Sequence, residues 1–386
     1  MIGRYKVLHA PSSWGGNPQV LSRALNAIGV YSRSLVVSQN HFQYKADIEL
    51  HRCGQSLLRR ELQRVWAIFC LLPQFDVIHY NAGTTLAMAY AVELSAHDGL
   101  RGLFRFCYTV YLRTLQRLEM AYVRLLRKRI FVTYQGDDAR QGDFSLEHFP
   151  ISIASEVEEG YYSATSDAFK RRNIALLCSM ASQVYSVNPD LLYVLPKKAR
   201  FIPYSHVFLN EWVPTYSLDE GRPLRILHAP TNRKVKGTDL ILGALERIRE
   251  QGHVFELLLV EGLSNDEAHR IYESADVLVD QLFAGWYGGL AVELMALGKP
   301  VLVYIREDDL GFIPVEMKSD LPFIQVTPQT IEAVLRQVLE MPREDLVALG
   351  RKSRAFVERW HDPIRIAEAI KIDYENALSE RAVPCK

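Results

Sequence analysis

Leu-His-Ala-Pro occurs twice in this chain, at residues 8–11 and again at 227–230, each time closing a short apolar run and opening a polar loop. The first copy continues Ser-Ser-Trp-Gly15-Gly16-Asn17 and the second Thr-Asn-Arg233-Lys-Val-Lys236-Gly237. Each reads as a first strand running into a ligand-binding turn, and a separation of roughly 220 residues is far beyond the period of a repeat solenoid. The chain is therefore read as two similar halves. Ligands of open parallel sheets sit beyond the carboxyl ends of the strands, so two such turns are expected to face one cleft.

Length and composition agree. A chain of 386 residues exceeds what one hydrophobic core usually organises, and 48% apolar residues suffice for two. Pro214, Gly221 and Pro223 interrupt periodicity across 205–222, which places the boundary there. The expected division is residues 1–205, residues 206–360, and a terminal helix at 361–386 packing back on the first domain. A formal net charge of zero argues against a nucleic-acid partner, although residues 1–205 carry a surplus of roughly eight positive charges. The five cysteines (Cys53, Cys70, Cys107, Cys178, Cys385) are scattered and never in a Cys-x-x-Cys pair, so neither a disulfide framework nor a zinc site is signalled. No leader segment or spanning apolar stretch is read, so the expected location is cytoplasmic, with room for a peripheral place on the inner face of a membrane.

Strand-like runs at 5–9, 30–37, 76–80, 129–134 and 183–187, and again at 224–228, 255–260, 276–280 and 301–305, alternate with helical patterns. That alternation predicts an α/β fold of two Rossmann-like domains. Asn17 is expected to cap the first helix, Pro18 suits its first turn and Gly29 follows its end. A long final helical region is expected over 342–379. An extra helical segment spans Arg101 to Arg129, where Arg105, Arg113, Arg117, Arg124 and Lys128 share a broad face interleaved with aromatics. Such a helix either covers the sheet as a solvated element or lies on an anionic membrane surface.

The sharpest local signal is Asp276-Val-Leu-Val-Asp280-Gln-Leu-Phe-Ala-Gly285-Trp-Tyr-Gly288-Gly289-Leu290-Ala-Val-Glu293-Leu-Met-Ala-Leu-Gly298-Lys-Pro300. A strand leads into a glycine turn and a short helix stopped by Gly298 and Pro300. Gly288 and Gly289 allow backbone amides, with that of Leu290, to approach a ligand, and the helix amino terminus favours a phosphate. Glu293, one turn in, can accept hydrogen bonds from a ribose diol. Arg233 and Lys236 can supply positive charge to a diphosphate. Gly15 and Gly16 form a similar turn before the first helix.

This constellation resembles the GT-B glycosyltransferases, specifically the GT4-like group. The residues that carry the resemblance are the Gly15-Gly16 turn, Arg233 with Lys236-Gly237, the run Glu293-Leu-Met-Ala-Leu-Gly-Lys-Pro-Val, Thr133-Tyr-Gln135-Gly136-Asp137-Asp138, and Ile202-Pro-Tyr-Ser-His206-Val. The resemblance implies two facing Rossmann-like domains, with a glycan or lipid-linked acceptor on the first and a nucleoside diphosphate sugar mainly on the second. It implies retention of anomeric configuration and no cofactor or metal beyond the donor itself. Catalysis would rest on Arg233, Lys236 and the amides near Gly288, with Asp138 and then Asp137 as the candidate base.

The chain also departs from the pattern. Gly285 stands where the group usually has a second acidic residue, and Gln135 where it has histidine. These departures leave open a non-catalytic nucleotide-sugar-binding partner, and the two-domain plan is shared with sugar-nucleotide epimerases. For Asp137, Asp138 and Arg140, a turn with a salt bridge competes with a catalytic role. His9 and His228 are expected to be hydrogen-bonded packing residues, and Trp286 with Tyr287 either line the cleft or fill the core.

Overall fold

A computed structural model of the chain describes residues 5–39, 44–90, 99–216, 219, 221–263 and 265–380. Twelve strands form two wholly parallel sheets among these residues. The first contains β1 (Lys6–Ala10), β2 (Tyr31–Ser38), β3 (Ile48–His51), β4 (Val77–Asn81), β5 (Arg129–Tyr134), β6 (Gln183–Ser186) and β7 (Ala199–Phe201), in the order β3-β2-β1-β4-β5-β6-β7. The second contains β8 (Leu224–His228), β9 (Phe255–Leu259), β10 (Val277–Val279), β11 (Val301–Val303) and β12 (Ile324–Gln325), in the order β12-β11-β10-β8-β9. Strand order reverses beside β1 in one sheet and beside β8 in the other, and these are the strands that carry the two Leu-His-Ala-Pro copies. A crevice opens at each reversal because neighbouring crossovers leave on opposite faces.

Both sheets are buried on both faces, as parallel sheets with helical cover must be. β4 is buried throughout and β10 and β11 likewise. Three short edge strands, β3, β7 and β12, were not visible as apolar runs. Their sequences Ile-Glu-Leu-His, Ala-Arg-Phe and Ile-Gln are too short and too polar to stand out.

The long helical region at the carboxyl end consists of two helices, Arg343–Trp360 and Pro363–Ser379. Asp362 caps the second by accepting from the amide of Ile364, Pro363 opens it, and the chain turns between Trp360 and Pro363. Proline cannot continue the preceding ladder, so the sequence Asp-Pro both ends one helix and starts the next. The second helix, Pro363–Ser379, crosses back to the first sheet and packs Ile366, Ile370 and Tyr374 with Val7, Phe131 and Tyr185. Tyr374 Oη is 2.6 Å from His79 Nδ1, and Asp373 accepts from Tyr185 and Arg200. Burying side chains of this size contributes about 1.5–3 kcal/mol each.

The extra segment is a single helix, Gly99–Leu125. Leu112, Leu115, Gln116, Glu119, Met120 and Val123 form its buried face. The expected common basic face is only partly present. Arg113 donates to the Tyr90 carbonyl and lies over Phe169, and Lys128 lies beyond the helix end, where it donates to the Pro73 carbonyl.

Candidate functional site

The turn after β8 is shaped by its own short-range bonds. Asn232 caps the one-turn helix Arg233–Lys236 by accepting from the amides of Lys234 and Val235, and Gly237 ends it with φ 78°. A side chain at Gly237 would press on Phe283 and Leu282. This close approach carries Lys236 inward, where its ammonium lies 2.8 Å from Asp280 Oδ1 and 2.8 Å from Gln281 Oε1. The other oxygen of Asp280 accepts the amide of Gly288 at 2.7 Å. Gln281 donates in turn to the Trp286 carbonyl, so both ends of its amide are committed. His228 ties the same turn to the sheet, with Nδ1 2.8 Å from the Val279 carbonyl and Nε2 2.8 Å from Thr238 Oγ1. Burial lowers its pKa to about 4, and the ring is neutral.

Gly288 precedes the helix Gly289–Ala296, whose first amides have no acceptor within the helix. A Cβ on Gly288 would lie 3.1 Å from the Lys236 ammonium, and one on Gly289 3.4 Å from the His206 ring. Glu293, buried one turn further on, has Oε1 3.4 Å from His206 Nε2. Lys236, Gly288, Gly289, His206 and Glu293 therefore form one continuous wall. Leu290 follows Gly289 in the first turn, and its amide opens in the same direction. Arg233 is elsewhere: it is 42% exposed and forms ion pairs with Glu261 at 3.1 Å and Asp239 at 3.2 Å.

The opposing wall comes from the first sheet. Gly15 and Gly16 adopt φ 57° and 71°, a region that costs other residues about 1 kcal/mol or more. A Cβ on Gly16 would also lie 3.0 Å from the ring of Tyr44. Burial and then the carboxylate of Glu293 hold the Tyr44 phenol in its neutral form. Asn17 does not cap its helix. Its amide donates to Gln135 Oε1 and its Oδ1 accepts the Ser205 amide at 2.8 Å, stitching three loops together. Asn188 adds another stitch, donating to the Gln135 carbonyl and accepting from Tyr204.

Asp137 and Asp138 are both hydrogen-bonded into this scaffold. Asp138 accepts the amides of Gln135 and Gly136, and burial raises its pKa to about 6 against those bonds. Burial opposes ionisation of Asp137 as well, but Arg140 and the hydroxyls of Tyr161 and Tyr162 outweigh it and the pKa is lowered. Arg140 bridges on to Asp190 at 2.9 Å. The turn-and-salt-bridge reading describes all three residues. His9 corrects its expectation in the opposite sense: it is fully buried with neither ring nitrogen hydrogen-bonded, beside His79 at 4.9 Å between rings. Trp286 and Tyr287 are core residues, fully buried, with Tyr287 Oη 3.0 Å from His361 Nε2.

Gly285 has φ 74°, and a Cβ there would lie 2.7 Å from the guanidinium of Arg306. Arg306 fills that space, paired with Asp309 at 2.8 Å, donating to the Ile151 carbonyl and lying over the Phe149 ring. Among the described residues no group of three or more His, Cys, Asp or Glu is placed to hold a metal ion. Sequence reasoning missed Tyr44 and Asn188, which lie in no recognisable motif, and read the run 202–207 without singling out Tyr204. Asp280 and Gln281 stood inside the motif that was read.

Two parallel sheets meeting through these loops can be compared with known folds. Sucrose-phosphate synthase from Thermosynechococcus elongatus superposes with a TM-score of 0.61 at 16% identity over 98% of this chain and 100% of that one. The fold is GT-B. The catalytic domain of starch synthase IV from Arabidopsis thaliana, bound to ADP and acarbose, gives 0.58 at 13% identity over 98% and 100%. Anabaena HepE in complex with UDP gives 0.55 at 11% identity over 96% and 100%. No family model and no curated protein sequence matches the chain.

Proposed function

We propose that this GT-B chain transfers a sugar from a nucleoside diphosphate sugar to a glycan or lipid-linked acceptor, in the manner of the GT4-like group. The observation that carries the reading is the wall formed by Lys236, Gly288 and Glu293. A buried ammonium, held in place from two sides, stands against a glycine backbone at the mouth of a helix, with a carboxylate one turn deeper. As the bond from the anomeric carbon to the diphosphate oxygen breaks, negative charge grows on that oxygen. The Lys236 ammonium and the amides of Gly289 and Leu290 are oriented in advance to stabilise it. Glu293 accepts from the ribose hydroxyls.

In this reading Arg233 reaches the diphosphate only by exchanging Glu261 and Asp239 for it, so Lys236 carries most of the stabilisation. Independence of metal belongs to the same reading, since the counter-charge is supplied by the chain's own ammonium and amides, and retention is what the GT4-like resemblance implies. UDP and ADP, the ligands named for the two structural neighbours above, are the first nucleotides to try. Incubation with a panel of UDP, GDP and ADP sugars and an acceptor extract, followed by mass spectrometry of the products, tests the reading. A product heavier than the acceptor by one sugar supports it. Donor binding without any such product would replace it with a non-catalytic nucleotide-sugar partner.

A further inference from the structure

The first domain carries a face whose polarity is reversed. The helix Leu57–Trp66 continues through one wider turn, Ala67–Leu71, and Leu58, Leu62, Trp66 and Phe69 follow one another along its outer side. These are 71%, 62%, 49% and 37% exposed. The charged side is turned inward: Arg64 is buried, donating to the carbonyls of Leu86 and Ala87 and to Glu61. A helix facing water has the opposite arrangement.

The helix Gly99–Leu125 lies alongside. Tyr108 donates to Glu61 at 2.6 Å, and the rings of Tyr122 and Phe69 are 5.1 Å apart. Phe104, Tyr111, Leu118 and Leu125 recur every seven residues and are all exposed, forming a second apolar stripe beside the first. Each helix has one carboxylate, and both point inward. Glu61 is taken by Arg64 and Tyr108, and Glu119 by Tyr80 and the amides of Leu86 and Ala87. The charges on the outside are the exposed arginines Arg59, Arg101, Arg105, Arg117 and Arg124.

Among the described residues of these two helices, the exposed apolar side chains are flanked by positive charge, which matches one kind of partner, an anionic lipid surface that offers hydrocarbon beneath a negative headgroup layer. We infer that the outer face of helices Leu57–Trp66 and Gly99–Leu125 docks this protein on an anionic bilayer. No helix among the described residues is long and apolar enough to cross one, so the two helices lie along the surface. Both helices run from the carboxyl edge of the sheet, where the cleft opens, back to its amino edge, because each follows one parallel strand and precedes the next. Their first turns therefore stand at the cleft rim. Docking gives the acceptor of the reading above a source in the membrane, but it rests on the two helix faces alone.

Flotation with phosphatidylcholine vesicles and with vesicles containing phosphatidylglycerol tests the inference. Binding to the anionic vesicles should exceed binding to neutral ones by tenfold or more and fall steeply in high salt. Leu62→Ser with Trp66→Ser should reduce it about tenfold, and Arg117→Glu with Arg124→Glu should abolish the anionic preference. All four residues are exposed, and an unchanged melting temperature confirms intact folding. Equal partition to both vesicle types, or binding indifferent to both variants, overturns the inference. So does a dimer in light scattering that Leu62→Ser with Trp66→Ser dissociates, because the face would then be covered by a second copy. Nucleotide affinity, measured on the same variants, should not change, and failure of nucleotide binding in the parent protein would count against the transferase reading only.

Discussion

The ammonium of Lys236 lies 2.8 Å from the carboxylate of Asp280, whose second oxygen holds the amide of Gly288. One aspartate thus fixes both the cation and the glycine turn that the proposed diphosphate would meet. Asp280→Ala should loosen that turn and remove the preference for a nucleotide sugar over its bare nucleoside diphosphate. Calorimetry with both ligands checks this. Sugar selectivity that survives the substitution would place sugar recognition on other residues.

Lys236→Ala and Glu293→Ala should each weaken nucleoside diphosphate binding by about 1.5–3 kcal/mol, the usual worth of a hydrogen bond to a charged group. Titration calorimetry gives the affinities and circular dichroism the state of the fold. Arg233→Ala, with its guanidinium paired at the surface, should cost less than Lys236→Ala. Unchanged affinity in both Lys236→Ala and Glu293→Ala would remove the donor-site assignment.

Gly285→Glu supplies the carboxylate that the GT4-like pattern leads one to expect. At φ 74° with Arg306 2.7 Å from the added Cβ, it should destabilise the fold by about 1–3 kcal/mol and leave transfer no faster. Urea denaturation reads the first effect and initial rates the second. A stable, faster variant would show that the Arg306 contact is easily given up.

Burial lowers the pKa of His9 to about 3, below the ordinary value of 6.5. Between these values the unfolded chain binds a proton that the native chain refuses. The resulting stability is complete above about pH 6.5 and is lost as pH falls toward 3, at about 1.4 kcal/mol per pH unit for each such histidine. Asp138, raised to about 6, acts in the opposite sense over part of that range. Comparing the parent with His9→Phe cancels it. The variant should lose less stability between pH 6 and pH 5 in urea melts, and parallel curves would refute the assignment.

The repeated Leu-His-Ala-Pro made the fold legible because each copy sits where strand order reverses, and strand, turn and helix there follow one another within a dozen residues. The proposed donor wall was legible for the same reason, since Asp280, Gly288, Gly289 and Glu293 belong to one contiguous stretch. Tyr44 was not. It reaches Gly16 only through tertiary packing, and its sequence neighbourhood carries no period. His9 and His228 show the limit from another side. Identical tetrapeptides give one histidine two partners and the other none, because Thr238 and the Val279 carbonyl are supplied by the second domain's own surroundings.

The helix that returns after Asp362 also sets an order of assembly. Val7, Phe131 and Tyr185 belong to strands made early, yet the cover over them, Ile366, Ile370 and Tyr374, is made only after the entire second sheet. A ribosome translating this message therefore releases the first domain with part of one face uncovered beside the helix Asn17–Ala27, and that domain is completed by residues synthesised after its neighbour.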